Sequence, residues 1–558
     1  MLHAPFNTAF AHGVVNDKYM ALHGETHWDQ TALRVATQVP EALHGRTKAR
    51  WHDIGLVQAK SYELIKRRMF MPGGRYLANV GNPYHQVQNC LLLDVEDTRE
   101  GWADLSYKTF MALMTGAGIG VYYGRLREHG AKINRTGGIA SGPVPLMIAV
   151  NEQSRAAVQG GNRRAAIWAG LLWSHPDIFT FIDAKKWPDW LREQKAKNFN
   201  TPAPLDMTNI SVCLDDDFFE AYGDPMHPSH EHAHLVYWRT IESMTTTGEP
   251  GFSVDLGDKR DEKLRNACTE ITSADDSDIC NLGGLVLSRF DNPKQFGAAV
   301  RAGVEFLTAG TVYSDVPYEK VAEVREKNRR LGLDILGVHE FLLQRGLQYG
   351  SDDAFEALDP FMAEYDRALE YANDFQDKIG LSRSVAATSA APSGTRSIGA
   401  ETTASWQTIT YAACKRGVIT AGGKGGDTKT YTYVVDPTLK RLVEQGIVGP
   451  DEEVEDSVTL AYDYERAFKM QQYAQSHTDQ AISMTINLPY VMNDPADQRA
   501  FGETLLPYLP SFRGLTVYPD GAIPGQPLIK VPLAEALASE GLVVEEDEDK
   551  CASGACGS

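Results

Sequence analysis

Between about residues 71 and 515 the sequence alternates short apolar runs with longer segments of helical periodicity. Four of these runs have the length and composition of buried strands, at residues 91–93, 119–123, 210–214 and 482–488. Strands that alternate with helical patterns are typical of α/β domains. The alternation therefore predicts an α/β fold for most of the chain.

Both ends of the chain depart from this pattern. Polar and apolar positions at helical spacing fill the N-terminal segment until Pro72-Gly-Gly interrupts them. After Leu533 the sequence becomes acidic and then small and glycine-rich, a composition that buries too little surface to become ordered. We therefore expect a helical cap over residues 1–70, a large α/β domain over 71–533 and a flexible tail over 534–558.

Charge and cysteine content restrict the possible functions. The formal net charge of −20 repels polyanions and no dense Lys/Arg cluster offsets it, so we expect no nucleic-acid partner. The apolar runs are much shorter than ~18 residues and the N-terminus lacks a secretory pattern, which predicts a cytoplasmic protein without membrane contact. Seven irregularly spaced cysteines favour reduced, working thiols over a disulfide scaffold.

The segment Asn266-Ala-Cys-Thr-Glu places a thiol two residues from a carboxylate and two from a carboxamide. Alternate residues of an extended backbone point to one face. Asn266, Cys268 and Glu270 could therefore converge on one substrate. The alternative without catalysis is a buried cysteine that packs as a small hydrophobe beside a solvated glutamate.

The remaining cysteines suggest a relay of thiols. Cys90 and Cys280 could form a disulfide, and a C-terminal pair, Cys551 and Cys556, could exchange with it. The other two, Cys213 and Cys414, have no such context and are interpreted as packing residues. A thiol-disulfide oxidoreductase would account for the relay, but it would have no use for Glu270.

Eight segments in order resemble the landmarks of ribonucleotide reductases. They are Met71-Pro-Gly-Gly-Arg-Tyr-Leu, Gln88-Asn-Cys-Leu-Leu-Leu, Gly116-Ala-Gly-Ile-Gly, Thr136-Gly-Gly-Ile-Ala-Ser-Gly-Pro-Val, Gln159-Gly-Gly-Asn-Arg-Arg-Ala-Ala, Asn266-Ala-Cys-Thr-Glu, Ala391-Pro-Ser-Gly-Thr-Arg-Ser and Thr485-Ile-Asn-Leu-Pro. The resemblance extends from about Met71 to the C-terminus. It implies a ten-stranded α/β barrel of two five-stranded halves, with a central finger loop that carries Cys268 at its tip.

The resemblance also assigns chemistry to the thiols. Cys268 matches the cysteine whose thiyl radical removes hydrogen from the 3′ carbon of the ribose, while Glu270 takes the 3′-hydroxyl proton as an ionised base and Asn266 orients both. Cys90 and Cys280 match the pair that reduces the 2′ carbon and becomes a disulfide. The tail cysteines would then reduce that disulfide, with thioredoxin or a glutaredoxin-like protein as the external reductant.

Two further regions resemble nucleotide-binding loops of the family. Residues 391–397 match the substrate-phosphate loop, which implicates Ser393, Gly394, Thr395 and Ser397, although residues 399–410 depart from the usual continuation. Four residues match contacts with a deoxynucleoside triphosphate effector, or the relay of its identity to the substrate: Asp97, Arg135, Gln159 and Arg163. A pure nucleotide-binding regulator would need none of the cysteines. The segment before Pro72 is too short for the family's usual ATP-binding cone, so we expect no on/off control by dATP.

The source of the radical is predicted from Gly514-Leu-Thr-Val-Tyr-Pro-Asp-Gly. Class I enzymes import the radical through two adjacent tyrosines, and here Val517 stands where the first would be. This segment and the Met71 segment resemble class II enzymes, whereas the tail resembles class I. We therefore expect a class II, adenosylcobalamin-dependent reductase of ribonucleoside di- or triphosphates, forming a homodimer. The alternative is a class I large subunit that needs no cofactor of its own and takes the radical from a metal-bearing partner.

Two other patterns are weaker. Gly422-Gly-Lys-Gly-Gly-Asp-Thr lacks the spacing of a phosphate-binding loop. The histidines between His227 and His234 lack zinc-site spacing, so we interpret them as part of a polar surface loop and expect no metal site.

Overall fold

Helices come first in the chain. The computed structural model describes residues 6–134, 137–157, 166–197, 201–420, 428–522 and 528–545. The elements before the first long strands are α1 (Ala9–Val15), α2 (Trp28–Glu41), α3 (Trp51–Lys66), β1 (Phe70–Pro72) and α4 (Gly74–Asn79). Helix α2 buries Ala32, Val35, Ala36 and Val39, which follow helical spacing, and packs against α3.

Five parallel strands follow, and helices connect them. The elements are β2 (Leu91–Asp94), α5 (Arg99–Met114), β3 (Ile119–Tyr122), α6 (Pro143–Ala156), β4 (Ile167–Leu172), α7 (Ile178–Asp183), α8 (Asp189–Lys197), β5 (Thr208–Asp215), α9 (Asp216–Gly223), α10 (His230–Thr247) and β6 (Gly251–Asp255). Strands β2 to β6 pair in chain order, each parallel to the next. Their near-continuous burial is typical of parallel strands covered on both faces.

A hairpin and a second group of strands make up the next part. The elements are β7 (Leu264–Arg265), β8 (Thr272–Ser273), β9 (Asp278–Ile279), β10 (Leu282–Val286), α11 (Pro293–Tyr313), α12 (Glu319–Asn328), β11 (Gly332–Leu336), α13 (Val338–Leu343), α14 (Asp352–Tyr365), α15 (Ala368–Ile379), α16 (Gly394–Ala400), β12 (Ala413–Thr420), β13 (Thr428–Val435), α17 (Pro437–Glu444), α18 (Ser457–Leu460), α19 (Tyr464–Ser476), β14 (Thr485–Leu488), α20 (Pro495–Leu505) and β15 (Gly514–Pro519).

The pairing of this second group links it back to the first. Strand β10 pairs in parallel with β11, and β14 with β15. Between them runs an extended segment whose Thr388 bridges Leu333 of β11 and whose Ala390 bridges Ile482, both in parallel. Antiparallel contacts join β15 to β6 and β9 to β2. The two groups are therefore connected by backbone hydrogen bonds at both ends.

A small antiparallel sheet contains the last described residues. It has the order β16-β12-β13-β17, with β16 (Leu528–Lys530), α21 (Leu533–Ala538) and β17 (Val543–Glu545) at the C-terminal end. Ala536 packs against Ala413 and Val435 of this sheet. Regular structure continues past residue 534, because β17 pairs with β13 as far as Glu545.

The α/β prediction is confirmed. Three of the predicted apolar runs lie in β2, β3 and β5, while the fourth becomes strand only from Thr485.

The histidine segment is not a loop: His230, His232 and His234 lie in α10, where ring nitrogens meet backbone carbonyl oxygens of neighbouring segments. Among the described residues no helix is both long enough and apolar enough to cross a bilayer, and no cluster of side chains has the make-up of a metal site.

Candidate active site

The segment from Asn266 to Glu270 is a tight turn at the end of the β7–β8 hairpin. Leu264 pairs with Ser273 and Arg265 with Thr272, so the intervening residues must reverse direction. The Thr269 N–H donates to the Asn266 carbonyl oxygen at 3.1 Å, and Thr269 has φ +69°. The predicted extended backbone is therefore wrong here. Asn266 and Glu270 are buried on either side of the turn, while Cys268 is partly exposed.

Hydrogen bonds fix both sides of this turn. The Asn266 Oδ1 accepts from the Ile271 N–H at 3.0 Å. The Glu270 carbonyl oxygen accepts from the Ala481 N–H at 3.0 Å, and Ala481 lies shortly before β14 begins at Thr485. At the base of the hairpin, the fully buried Arg265 forms an ion pair with Asp255 at 2.5 Å. The thiol-bearing turn is thus anchored to β6 and to the segment that leads into β14.

Gly120 in β3 and Gly118 just before it make room for the hairpin. A Cβ on Gly120 would overlap the Arg265 carbonyl oxygen. A Cβ on Gly118 would lie 2.8 Å from the Ala267 Cβ and 3.2 Å from the Cys90 Sγ. The absence of side chains at these two positions therefore lets the turn lie beside Cys90. Sequence reasoning treated these glycines only as a family landmark, although glycines two apart in a buried strand indicate close backbone approach.

Cys90 and Cys280 lie side by side although 190 positions separate them. The Cys90 N–H donates to the Cys280 Sγ at 3.0 Å, and the Cys280 N–H donates to the Cys90 carbonyl oxygen at 2.9 Å. Burial, together with the neighbouring Cys90, raises the pKa of Cys280 well above its usual value. Cys280 is therefore a thiol at neutral pH, next to a second sulfur with which a disulfide would need little movement.

Glu270 is held in an unusual electrostatic state. Burial, and to a smaller extent Cys90, raises the pKa of Glu270 to about 8, against the lowering effects of hydrogen bonds, one of them from the Asn266 side chain, and of the more weakly acting Arg396 charge. The expectation of an ionised carboxylate therefore does not hold at pH 7 for the chain alone. A pKa near the working pH still suits a group that must accept a proton.

The Asn266 Nδ2 and the Glu270 Oε2 are buried beside the turn, and neither forms a short hydrogen bond among the described residues, although the Asn266 side chain is close enough to Glu270 to lower its pKa. Buried polar groups are normally paired, so each unpaired one requires an explanation. One donor and one carboxyl oxygen next to a partly exposed thiol can bind a hydroxyl-bearing ligand. The arrangement can remove a proton and present a sulfur to the same molecule.

The predicted phosphate loop starts at the end of the extended segment that bridges β11. Ser393 has φ +57°, and its hydroxyl donates to the buried Asp334 carboxylate at 2.5 Å. Ser397 donates to the Gly394 carbonyl oxygen at 2.9 Å, Gly394 is exposed and Thr395 is half-buried. The loop is close enough to the turn for the charge of Arg396 to act on Glu270. Asp334 and Arg396 were not predicted, because nothing in the sequence links positions on different elements.

Of the predicted effector residues, the structure describes Asp97, which lies on the surface. Its carboxylate accepts from the Arg127 Nε at 2.6 Å. Cys213 and Cys414 are buried, and burial raises the pKa of Cys213. Five of the predicted site residues and the Gly422 segment up to Asp427 lie outside the described residues; those five are Arg135, Gln159, Arg163, Cys551 and Cys556.

A cavity of about 240 Å³ opens where β14 and β15 end. Its lining includes Tyr411, Asn487, Tyr518 and Asp520. The other end of β15 is Gly514, where a Cβ would lie 4.0 Å from the Thr269 Oγ1 of the turn. At ~3.3 Å per residue, Tyr518 is roughly 13 Å along the strand from that position. Val517 is buried in the core and is not part of the cavity lining.

Comparisons with known proteins match one family over half of the chain. A family model described as the barrel domain of ribonucleotide reductase matches residues 88–249 and 259–375, half of the chain. The vitamin B12-dependent ribonucleoside-diphosphate reductase of Mycobacterium tuberculosis is 25% identical over 529 residues, which cover 83% of this chain and 72% of that protein.

Two further relatives differ in how much of this chain they match. The Thermoplasma acidophilum protein of the same description is 26% identical and covers 76% of this chain and 60% of its own length. A ribonucleoside-diphosphate reductase large chain of Saccharomyces cerevisiae is 25% identical over 58% of this chain and 42% of its own. The similarity is therefore more extensive to the relatives described as vitamin B12-dependent.

Proposed function

The chain belongs to the ribonucleotide reductase family and has the activity of its large chains, and from this premise we propose that it is a class II enzyme whose radical comes from adenosylcobalamin. The observation that carries the proposal is the extent of similarity to vitamin B12-dependent relatives, 83% of this chain for the M. tuberculosis protein. The burial of Val517 in the core beside Tyr518 is consistent with it, since a class I relay would need a second tyrosine there.

We further propose that the two groups of parallel strands form one ten-stranded barrel within residues 71–533. Strands β2 to β6 would be one half, and β10, β11, the segment around Thr388 and Ala390, β14 and β15 the other. Support comes from the parallel pairing within each group and from the antiparallel contacts β15–β6 and β9–β2. The β7–β8 hairpin, which packs on Gly118 and Gly120, would be the finger loop.

In this proposal Cys268, Glu270 and Asn266 act on the ribose. Bound adenosylcobalamin would supply the radical that removes a hydrogen atom from the Cys268 thiol. The Cys268 sulfur then takes the hydrogen atom of the 3′ carbon, and Glu270, once ionised, accepts the 3′-hydroxyl proton. Asn266 donates to a ribose hydroxyl from its Nδ2, which forms no short hydrogen bond among the described residues.

Cys90 and Cys280 would then supply the reducing equivalents. The 2′-hydroxyl leaves as water, the two thiols give two electrons and two protons in total, and a bond forms between their sulfurs. The Cys268 thiol finally returns a hydrogen atom to the 3′ carbon, which regenerates the Cys268 sulfur radical. The tail pair Cys551 and Cys556 would reduce the disulfide by exchange and be reduced in turn by thioredoxin or a glutaredoxin-like protein.

The chain's residues fit a cofactor that approaches from the surface. Cys268 is partly exposed whereas Asn266 and Glu270 are buried, so of these three residues Cys268 is the accessible one. The cavity lined by Tyr411 and Tyr518 is smaller than typical ~300–1,000 Å³ ligand pockets. It could hold one part of the cofactor, and these two side chains are the candidates to contact it.

Regulation and assembly complete the proposal. Asp97 would exchange its ion pair with Arg127 for the ribose of a deoxynucleoside triphosphate effector, with Arg135, Gln159 and Arg163 as further contacts. Exposed apolar side chains on α5, Tyr107 at 52% and Met114 at 67%, support a homodimer through that helix.

The test is a reductase assay on the purified chain. It contains ribonucleoside di- or triphosphates and dithiothreitol, with or without adenosylcobalamin, and measures deoxyribonucleotide by chromatography. We expect product only with adenosylcobalamin and without any second protein. Product that requires a ferritin-like metalloprotein instead would make the chain a class I large subunit.

A further inference from the structure

Asp334 is the centre of a buried polar cluster at the phosphate loop. It is fully buried on β11. Its Oδ2 accepts from the Ser393 hydroxyl at 2.5 Å and from the Arg396 Nη2 at 3.0 Å, and its Oδ1 accepts from the Ser405 hydroxyl at 2.8 Å. One carboxylate therefore engages three side chains of the segment that begins at the loop.

Arg396 is only partly satisfied in this cluster. Its Nη2 contacts Asp334 and the Ser393 Oγ, but its Nη1 is buried and has no hydrogen-bond partner among the described residues. The side chain is only 6% exposed, so bulk solvent hardly reaches it. A Cβ on Gly284 would lie 2.9 Å from this Nη1. The lack of a side chain at this position of β10 therefore leaves room for the guanidinium.

An unpaired guanidinium donor inside a buried site points to an absent anion. Guanidinium groups bind phosphate through parallel N–H bonds, and charge-assisted bonds are stronger than neutral ones. Among the described residues that contact Ser393 or Asp334, Arg396 is the one with a positive side chain. Two groups would bind such an anion, the Ser393 hydroxyl and the Arg396 guanidinium, and both already donate hydrogen bonds to Asp334.

We propose that Arg396 binds a phosphate group of the ribonucleotide, and that Asp334 holds Arg396 and Ser393 in place as an internal anion until substrate arrives. The proposal rests on the ribonucleotide reductase function and adds a fixed positive charge to the loop. Bound phosphate satisfies Nη1 and shares the guanidinium with Asp334. Asp334 is a positioning residue, since it acts through Arg396.

The same charge reaches the catalytic turn. Arg396 lowers the pKa of Glu270, in opposition to burial. A phosphate on Arg396 offsets part of this positive charge, so phosphate binding and the proton affinity of Glu270 are coupled. Binding of the ribonucleotide's phosphate at the loop therefore also changes the proton affinity of Glu270.

The experiment compares the affinities of the full chain for cytidine diphosphate and for cytidine by titration calorimetry at constant pH. Arg396→Gln should weaken cytidine diphosphate binding roughly 10- to 100-fold and leave cytidine binding unchanged. Arg396→Lys should retain part of the preference. Asp334→Asn, which removes the competing anion, should increase the preference for the diphosphate. Arg383→Gln, at an arginine whose side chain is 68% exposed, is the control for loss of one positive charge.

The double variant Asp334→Asn/Arg396→Gln removes both buried charges and keeps the test valid if Arg396→Gln alone unfolds the loop. It should show the same loss of diphosphate preference. Unchanged diphosphate preference in the Arg396→Gln and double variants would overturn the inference, while the reductase assignment would stand. A wild-type chain that binds cytidine diphosphate no better than cytidine would refute the phosphate site and this inference with it.

Discussion

At the scale of single residues, Glu270 has the property most open to measurement. Its pKa is raised to about 8 by burial, so the ionised base becomes more populated as pH rises through 8. We expect kcat/KM, which reports the free enzyme, to rise between pH 7 and 9 as this one group loses its proton. Glu270→Gln should remove this dependence and lower the rate ~10²–10⁴-fold. A flat wild-type profile over this range would reassign the base.

The same pKa has a consequence for stability. Because the folded-state pKa lies above the ordinary value of 4.5, the fold binds the Glu270 proton more tightly than the unfolded chain does. This contribution to stability is fully present below pH 4.5 and is lost as pH rises through 8. Glu270→Gln should therefore gain stability relative to wild type between pH 6 and pH 9 in urea unfolding. An equal difference at both pH values would contradict the buried-acid interpretation.

Cys268 provides a second test at this scale. Serine at this position has a similar size but an O–H bond that is harder to cleave homolytically than S–H. Cys268→Ser should abolish deoxyribonucleotide formation and leave binding of cytidine diphosphate intact. Cys213→Ser, at a buried cysteine outside the turn, serves as the control and should retain turnover if the chain folds. Product from Cys268→Ser would remove this cysteine from the mechanism.

At the scale of elements, the contact between β3 and the hairpin decides where the thiol lies. A Cβ at Gly120 would overlap a backbone carbonyl of Arg265, which cannot move like a side-chain end. Gly120→Ala should displace the hairpin, cost about 1–3 kcal/mol of unfolding free energy and reduce turnover far more than the binding of cytidine diphosphate.

The matched control for this substitution is Gly55→Ala in α3, where an added Cβ meets no atom within 4 Å. It should be neutral or slightly stabilising, since alanine favours helix over glycine. Wild-type turnover in Gly120→Ala would show that the position of the hairpin does not depend on β3.

At the scale of the whole molecule, β15 links the surface cavity to the turn that carries Cys268. The proposed radical source predicts whether Tyr518 on this strand takes part in radical transfer. Tyr518 lines the cavity at one end of the strand, and Gly514 lies beside Thr269 at the other. In the class II proposal no electron passes through the Tyr518 ring. Tyr518→Phe should keep most activity with adenosylcobalamin, and the loaded chain should give a cobalamin-coupled radical signal in electron paramagnetic resonance. Loss of activity in Tyr518→Phe, together with absence of the radical signal from the loaded chain, would favour class I.

Sequence and structure agree where local composition decides the outcome. Apolar runs predicted β2, β3 and β5 because buried parallel strands need apolar residues on both faces. The turn at Cys268 escaped prediction because a pairing of only two residues on each side forces the reversal. The pKa of Glu270 depends on burial, which no local pattern encodes. The contact between Asp334 and Arg396 joins positions 62 apart, which no local pattern encodes either. Cys90 and Cys280 were paired by family resemblance rather than by spacing.

The antiparallel contact between β6 and β15 bears on how the chain is made. Phe252 pairs with Leu515, so β6 has an unpaired edge until the ribosome has added more than 260 residues after it. At ~5–20 residues per second, that edge stays open for roughly 13–50 s. Open edges template association with other strands. Synthesis of this protein therefore includes a long aggregation-prone interval, and its yield should respond to slower initiation and to chaperones that bind nascent chains.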